Sequence, residues 1–355
     1  MAGTANWQAL IDLDRLGEWM HEQGLPGGAF LNPTPLTGGT QNVLLQFLRG
    51  DREYVLRRPP LHPRMDGNAT IRREAQVLAA LAETQVPHPR LIAACTSTDV
   101  LGAAFYLMEP IKGFTATVGM PPLHSGDPAI RRRMGLAVAD GAAALAAVDH
   151  VAVGLSEFGK LDGFLERQVG RWRAQLDGYH EYAGWPGHAG IPGVQEVGDW
   201  LDKRRPEQFS PGIMHGDYHL GNVMFRNDGP GLAAIVDWEL ATIGDPLLDL
   251  GWLLATWPNA QGETPVPLVA HPWNGFPTAQ ELVERYARSS PLDLSNVHWY
   301  AVLACYKLGI LQEGTYARAF AGKAARETGE MLHHATVGLF KRALEWINTD
   351  RVGTY

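Results

Sequence analysis

Cysteine is scarce in this 355-residue chain, and lysine is absent from nearly its first third. The two cysteines, Cys95 and Cys305, lie far apart and have no cysteine or histidine at metal-ligand spacing. This scarcity argues against a disulfide framework or a zinc cluster and fits a reducing cytoplasm. The first lysine is Lys112, so arginine supplies the permanent positive charge up to that point.

An excess of positive charge is also missing. Lysine and arginine total 30 against 38 aspartates and glutamates, a formal net charge of −8 that disfavours nucleic acid and anionic membranes as partners. The longest stretch of low charge, Met134 to Val148, is too short to cross a bilayer and predicts a buried helix. No basic region followed by an apolar block opens the sequence, so we expect no export signal; the early segment Asp12 to Met20 instead predicts an amphipathic helix capped by Asp12. The oligomeric state stays open.

The first 110 residues carry mainly strand patterns. Apolar residues alternate from Gln41 to Arg58 around a Gly50-Asp51 turn, which predicts a β-hairpin. The segment Ile71 to Leu81 places its apolar residues on one helical face. Two further apolar runs predict strands, at Leu91 to Ala94 and Ala104 to Met108. A small lobe with one sheet and a helix is expected.

The rest of the chain carries longer helical patterns. Four segments show this period: Arg131–Val148, Leu161–Leu176, Val297–Leu311 and Thr328–Ile347. A short connection that contains Pro110 and Gly113 precedes them and predicts a hinge. We therefore predict an α+β fold with two lobes: a small β-rich N-lobe over 1–108, a hinge over 109–113 and a larger helical C-lobe over 114–355.

Polar residues cluster around one further predicted hairpin. Residues 214–222 read MHGDYHLGN, in which Asp217 and Asn222 are five positions apart. An apolar run, a turn rich in Asn, Asp, Gly and Pro, and a second apolar run follow and end before Asp237. Antiparallel pairing brings the start of one strand beside the end of the other, so Asn222 and Asp237 can share a metal ion. Asp217, on the preceding loop, can face the same point.

This set of side chains suits phosphoryl transfer. That reaction needs a group that orients the attacking hydroxyl and oxygen ligands that hold Mg²⁺ against the phosphates. Each residue alone is common in turns, but their joint occurrence favours Asp217 as the catalytic residue and Asn222 and Asp237 as metal ligands.

With these motifs, the chain resembles the aminoglycoside phosphotransferase and choline kinase superfamily, small-molecule relatives of the protein kinases. The resemblance rests on HGDYHLGN at 215–222, IVDWELATIGDPLLDLGW at 235–252, FYLMEPIKG at 105–113 and the glycine-bearing stretch 36–45. It is greatest to the kinase-like module fused to certain acyl-CoA dehydrogenases and to its free-standing bacterial relatives. It implies a protein-kinase-like fold that uses ATP and Mg²⁺.

The resemblance also implies roles for particular residues. Asp217 would be the base or orienter for the substrate hydroxyl, and Asp249 would brace the loop 215–222, which we call the catalytic loop. Glu109 and Ile111 would offer a backbone carbonyl and N–H to adenine. The turn over the phosphates would contain Gly38, Gly39, Thr40 and Asn42.

One position departs from the family pattern. Related kinases place a lysine on the third strand to bind the phosphates, and here Arg57 takes that position. Strand alternation puts Val55 and Arg57 on the face toward the nucleotide and Arg58 on the other face, where we expect it to be solvated. A guanidinium can bind phosphate with two nitrogens, and Glu74 on the next helix is its expected partner. The alternative is that Arg57 is an exposed strand charge.

Histidine and tryptophan residues near the motifs have less specific signals. His215 is expected to hydrogen-bond within the catalytic loop, whereas His219 could serve structure or touch the substrate. Trp238, Trp252 and Trp257 are expected to pack in the core.

The predicted reaction is ATP- and Mg²⁺-dependent phosphorylation of a hydroxyl on a small molecule. The resemblance favours a hydroxyacyl compound or its CoA thioester, and the broader family suggests an aminoglycoside, an amino alcohol or a sugar. Arg57 in place of lysine motivates a second hypothesis, a catalytically silent nucleotide-binding regulatory protein. A protein kinase is less consistent with the sequence, because no APE-like segment follows Asp237.

Overall fold

A computed structural model describes residues 7–36, 42–61, 66–350 and 352. The chain divides into two compact units, one formed by Met1–Lys112 with Ala234–Ala241 and the other by Gly113–Ala233 with Thr242–Tyr355. The first change of unit falls inside the predicted hinge 109–113. We predicted a C-lobe that runs without interruption from 114 to 355. That prediction does not include the return of residues 234–241 to the first unit.

The first unit is built on a five-stranded antiparallel sheet with strand order β1-β2-β3-β5-β4. Its elements are α1 Leu13–Glu22, β1 Phe30–Pro35, β2 Val43–Arg49, β3 Arg52–Arg58, α2 Gly67–Leu81, β4 Leu91–Cys95 and β5 Phe105–Met108. The predicted hairpin is β2–β3, in register from Val43 opposite Arg58 to Arg49 opposite Arg52. Strand β1 was not predicted because Pro33 and Pro35 interrupt its pattern, and an edge strand tolerates such residues.

One face of this sheet packs against α1. Asp12 caps the helix, since its carboxylate accepts the N–H groups of Asp14 and Arg15. The buried side of α1, with Leu16 and Met20, then joins the buried strand residues of that face in the core of the first unit. The amphipathic helix and its cap follow from sequence signals alone.

The same face explains why the prediction for Arg58 was wrong. Arg58 is only 4% exposed, because the N-terminal segment and the loop around Leu101 cover the end of β3. Its guanidinium donates to the carbonyls of Leu10, Pro59 and Leu101. A charge buried in this way needs such partners, and backbone oxygens supply them.

The second unit is mainly helical, as the sequence predicts. Its elements are β6 Gly113–Phe114, α3 Pro122–Ser125, α4 Pro128–Ala146, α5 Glu166–Gly178, α6 Val194–Lys203, β7 Gly212–Met214, β8 Val223–Arg226, β9 Leu232–Ile235, β10 Thr242–Gly244, α7 Leu247–Thr256, α8 Ala279–Ser289, α9 Val297–Phe320 and α10 Arg326–Thr349. The predicted hairpin after Asn222 is β8–β9, within a sheet of order β6-β8-β9. The chain passes from the second unit to the first within β9.

The structure shows the state of the two cysteines and of the segment of low charge. Cys95 and Cys305 are buried free thiols. The alanine-rich segment forms α4, with Ile130, Met134 and Val138 buried. Within the described ranges, no helix combines the length and hydrophobicity that a membrane span requires.

Close packing of α7 against α9 fixes the geometry around the catalytic loop. Gly251 of α7 makes this possible, because a Cβ there would lie 2.5 Å from the carbonyl oxygen of Tyr300 in α9. Asp245, just before α7, strengthens the contact by accepting hydrogen bonds from the Leu247 N–H at 2.9 Å and the Tyr300 hydroxyl at 2.5 Å. Burial raises the pKa of Asp245 to about 6, although both bonds oppose the shift.

We therefore predict that Gly251→Ala pushes α7 away from α9 and lowers the free energy of unfolding by about 1–3 kcal/mol. The matched control is Gly170→Ala in α5, where a Cβ would meet nothing within 4 Å and helix propensity should add about 0.5–1 kcal/mol. Urea unfolding of both variants measures the difference. Equal stability of the two variants would show that the contact between α7 and α9 is not tight.

Candidate active site

The catalytic loop connects β7 to β8 and is held from α7 by one carboxylate. Asp249 accepts the N–H of His215 at 2.6 Å and that of Gly216 at 2.8 Å. Gly216 has φ +86°, a conformation that favours glycine, so the loop can turn between these bonds and Asp217. Tyr218 anchors the loop from the other side, since its hydroxyl donates to the Val138 carbonyl of α4 at 2.7 Å. The brace that the resemblance assigned to Asp249 is present.

The carboxylate of Asp217 is fixed by two donors of the same loop. Asn222 Nδ2 donates to Asp217 Oδ2 and to the Asp217 carbonyl, both at 3.0 Å. His219 Nε2 lies 3.3 Å from Asp217 Oδ1. Because His219 Nδ1 accepts the Gly221 N–H at 3.0 Å, a neutral His219 carries its proton on Nε2 and donates it toward Asp217. His219 is therefore a positioning residue for the aspartate.

The same contacts set the ionisation of Asp217. Burial by itself raises its pKa, but the hydrogen bond and charge of His219, with the charges of His215 and Lys307, outweigh burial and lower the pKa to about 2. Asp217 is thus ionised at neutral pH and is a weak base. Such a carboxylate can accept a hydrogen bond from a hydroxyl and direct its oxygen.

The other histidine of the catalytic loop, His215, makes a hydrogen bond within the loop. His215 is buried, and its Nδ1 accepts the Asp217 N–H at 3.3 Å, so its expected role within the loop is confirmed. Trp238, Trp252 and Trp257 are all buried, as expected for core residues.

In the first unit, Arg57 lies between two carboxylates. Its Nε is 2.8 Å from Glu74 Oε2, and its Nη2 is 3.1 Å from Glu74 Oε1 and 2.7 Å from Asp237 Oδ1. Tyr106, the register partner of Arg57 on β5, donates its hydroxyl to Glu74 at 2.8 Å. Arg57 is 8% exposed and Glu74 1%, so the alternative of an exposed strand charge is wrong. Despite burial, Glu74 and Asp237 raise the pKa of Arg57.

Asp237 reaches Arg57 because residues 234–241 fold onto the first unit. The Ile235 N–H donates to the Pro87 carbonyl at 2.8 Å, and Arg73 donates to the Ala241 carbonyl at 3.2 Å. Asp237 itself has φ +68°, which aspartate tolerates better than most residues. Its side chain stays 39% exposed, and Oδ1 is the oxygen that contacts Arg57.

The donor chemistry of Asn222 and Asp237 fits magnesium. Asn222 uses its amide nitrogen on Asp217, which leaves the amide oxygen as its remaining polar group. Asp237 likewise keeps one carboxylate oxygen beside the one on Arg57. Magnesium prefers such oxygens and usually adds phosphate oxygens and waters. In the part of the chain that the structure describes, no three His, Cys, Asp or Glu residues group into a metal site.

The structure describes some of the remaining residues that we predict to bind nucleotide and leaves others outside the described ranges. Val55 is buried and pairs with Met108, and Asn42 and Ile111 are half-buried. The N–H of Glu109 donates to the Arg90 carbonyl at 2.9 Å, while its side chain pairs with Arg52, so its carbonyl is the group left for adenine. Gly38, Gly39 and Thr40 lie outside the described residues. Nucleotide binding by all of these residues stays a prediction.

Lys307 lies outside all the motifs that predict the site. This residue of α9 acts electrostatically on both Asp217 and Asp249. A signal was available, because Lys307 is the one charged residue in the otherwise apolar run WYAVLACYKLGI over 299–310. Such a charge has to be paired, solvated or functional.

Comparison with known proteins now decides the family. The sequence model of the phosphotransferase enzyme family matches residues 33–282. The chain belongs to this family.

Three relatives illustrate the extent of the likeness. Acyl-CoA dehydrogenase family member 11 of Gallus gallus is 28% identical over 332 residues, which cover 90% of this chain and 41% of that protein. The chain thus spans about two fifths of the length of this curated relative. A solved structure from Ralstonia eutropha, assigned as an aminoglycoside phosphotransferase, has 26% identity and a TM-score of 0.76, covering 94% and 98% of the two chains. Choline kinase from Cryptosporidium parvum has 12% identity and a TM-score of 0.63, covering 96% and 97%.

These likenesses confirm the superfamily and the protein-kinase-like α+β fold that the sequence implied. They also confirm the link to acyl-CoA dehydrogenase family members.

We predict that Arg57→Met lowers the stability of this protein by about 3–5 kcal/mol, because Glu74 would remain buried without its cation. Burial already raises the pKa of Glu74, and loss of Arg57 raises it further. Proton uptake by Glu74 then favours the folded variant at acid pH, so its deficit grows as pH rises above the ordinary value of 4.5. Denaturant unfolding at several pH values measures this.

The matched control is Arg52→Met on the same strand. Arg52 and Glu109 are 41% and 44% exposed, so this pair contributes little to stability, within about 0.5 kcal/mol. A similar loss in both variants would contradict the special role of the buried pair.

Proposed function

We propose that this chain catalyses ATP- and Mg²⁺-dependent transfer of a phosphoryl group to a hydroxyl of a small molecule. The observation that carries the proposal is the ionised Asp217, oriented by Asn222 and His219 on a loop that Asp249 braces. Membership of the phosphotransferase family supplies the reaction class.

The protein groups would act mainly by alignment. Asp217 accepts a hydrogen bond from the acceptor hydroxyl, aims the oxygen, and takes the proton late because its pKa is low. Arg57, held in orientation by Glu74, binds nucleotide phosphate oxygens. Asn222 and Asp237 are the proposed ligands of Mg²⁺, whose chemistry when bound is neutralisation of phosphate charge. Glu109 and Ile111 are assigned to adenine as before.

For the acceptor, a hydroxyacyl compound or its CoA thioester is the leading candidate. The names of the curated relatives support it, since they are acyl-CoA dehydrogenase family members. An aminoglycoside or amino alcohol is the alternative, supported by the name of the Ralstonia eutropha structure.

A silent nucleotide-binding protein is the second candidate function. The observation in its favour is that Arg57 donates to Asp237, a proposed metal ligand, at 2.7 Å. If that pair persists when nucleotide is present, Asp237 loses part of its charge for a cation. Nucleotide binding without ADP release against any hydroxyl compound would support this function.

We predict that Asp217→Asn lowers turnover at least about a hundredfold while leaving nucleotide affinity nearly unchanged, because orientation and proton acceptance are lost but phosphate contacts are not. ADP release against a panel of hydroxyl compounds, with titration of ATP, measures both. Asp228→Asn is the control, since Asp228 is an exposed carboxylate between β8 and β9 that pairs with Arg226. Full turnover by Asp217→Asn would reject the assigned role.

We also predict that ATP stabilises the protein much more with Mg²⁺ than with EDTA. Ligand at a hundredfold excess over Kd should add about 2.7 kcal/mol to the free energy of unfolding. Asp237→Asn should reduce this gain, because one carboxylate ligand becomes a neutral amide. Thermal unfolding with ATP, with and without Mg²⁺, tests this, and an equal ATP effect in EDTA would count against a magnesium site.

A further inference from the structure

Lys307 presents an ammonium group whose contacts within the described ranges are with aromatic rings. It lies in α9 with Nζ 4.5 Å from the ring centroid of Trp252 and 5.5 Å from that of Trp172. Among the residues that the structure describes, no hydrogen bond or ion pair involves Lys307. The residue is half-buried, and its cation lies between the two indoles.

The carboxylates that attract Lys307 are both engaged elsewhere. Asp249 accepts two N–H groups of the catalytic loop, and Asp217 accepts from Asn222 with His219 beside it. A second cation is close, since Arg171 acts on Lys307 and its guanidinium carbon lies 5.0 Å from the Trp172 ring centroid. Both carboxylates keep their charge and attract the ammonium, but among the described residues neither accepts a hydrogen bond from it, so its N–H donors are left for a ligand.

Placing an unpaired ammonium here costs free energy. Burial lowers the pKa of Lys307 to about 8, and the contacts with the indole rings offset only part of that cost. A methionine or leucine would fill the same space between Trp172 and Trp252 without that cost. The cost is therefore explained if the ammonium binds a ligand.

We propose that Lys307 binds an anionic group of the acceptor, so that this phosphotransferase acts on hydroxyl compounds that carry a carboxylate or phosphate and not on polycations. This inference rests on the proposed function, because it takes Asp217 as the residue that faces the acceptor hydroxyl. An ammonium offers three N–H donors to an oxyanion, and the indoles supply apolar walls for the rest of the molecule. Lys307 and Arg171 together would repel a polycation.

The γ-phosphate of the nucleotide is the other source of such an anion. The nucleotide phosphates already have a proposed cation, Arg57, whose planar group is fixed by Glu74. Lys307 shares its unit with Asp217, to which its charge is coupled. We therefore assign Lys307 to the acceptor.

The test is calorimetric binding to the full chain with Mg²⁺ and ADP present. The anionic probes are 3-hydroxybutyrate, 3-hydroxybutyryl-CoA and glycerol 3-phosphate, and the comparison probes are neutral 1,3-butanediol and polycationic kanamycin. At least one anionic probe should bind more tightly than both comparison probes. Lys307→Met should weaken that binding about tenfold or more, which is the usual effect of losing a charged hydrogen bond.

Two controls separate this effect from misfolding. Lys341→Met removes an exposed lysine of α10 and should leave every affinity unchanged. Lys307→Met should melt at or above the temperature of the unaltered protein, because a desolvated charge is removed, and Lys307→Gln provides a polar variant if methionine disturbs packing.

Nucleotide titrations of the same variants identify the source of the anion. Unchanged affinities for MgATP and MgADP support the acceptor assignment. Weaker MgATP binding with unchanged MgADP binding assigns Lys307 to the γ-phosphate and overturns it. Tighter binding of kanamycin, no binding of any anionic probe, or no effect of Lys307→Met also overturns the proposal. Failure of the proposed function would show separately, as absent turnover, since these titrations need no phosphoryl transfer.

Discussion

The two hydrogen bonds that Asp249 accepts from the catalytic loop are the constraint on which the second unit depends. They fix the backbone of His215 and Gly216, and so the position from which Asp217 projects. Asp249 lies in α7, one turn before Trp252, so the helix that holds the loop also supplies an aromatic wall for Lys307. Since Gly251 lets α7 approach α9 closely, one helix contact places both a carboxylate and an ammonium. Packing and chemistry are thus coupled through Asp249, Gly251 and Trp252, which lie within about one turn of α7.

In the first unit, a network of buried charged and polar side chains fixes the position of Arg57. Arg57 replaces the compact ammonium of related kinases with a planar fork, whose Nη2 hydrogen-bonds both Glu74 and Asp237 while Nε forms an ion pair with Glu74 at 2.8 Å. A lysine could not make the same set of contacts, because it has a single nitrogen. The register of β3 and β5 places Tyr106 beside Arg57. The Tyr106 hydroxyl therefore donates a further hydrogen bond to the Glu74 carboxylate. Such a network rigidifies the face of the sheet where the phosphates are expected.

Structural features that depend on residues close together in the sequence were predictable from the sequence. The Asp12 cap, the β2–β3 hairpin and the five-residue spacing of Asp217 and Asn222 all depend on neighbours in sequence. Features that depend on contacts between distant segments were not predictable in this way. Arg58 is buried by segments 48 and 43 residues away along the chain, which strand alternation cannot reveal. Lys307 meets Trp172 and Trp252 only after three helices have packed, although its isolation in an apolar run was visible.

The charge of the whole chain is a poor guide to the charge at its sites. A net charge of −8 weighs against polyanionic polymers as partners, because they sample the entire surface. A small ligand samples only the groups within a Debye length of about 8–10 Å and responds most to those with low hydration. Around Asp217 those groups include Lys307 and His219, and around Asp237 they include Arg57. An acidic protein can therefore hold locally cationic pockets, which is the condition for binding a nucleotide and an anionic acceptor.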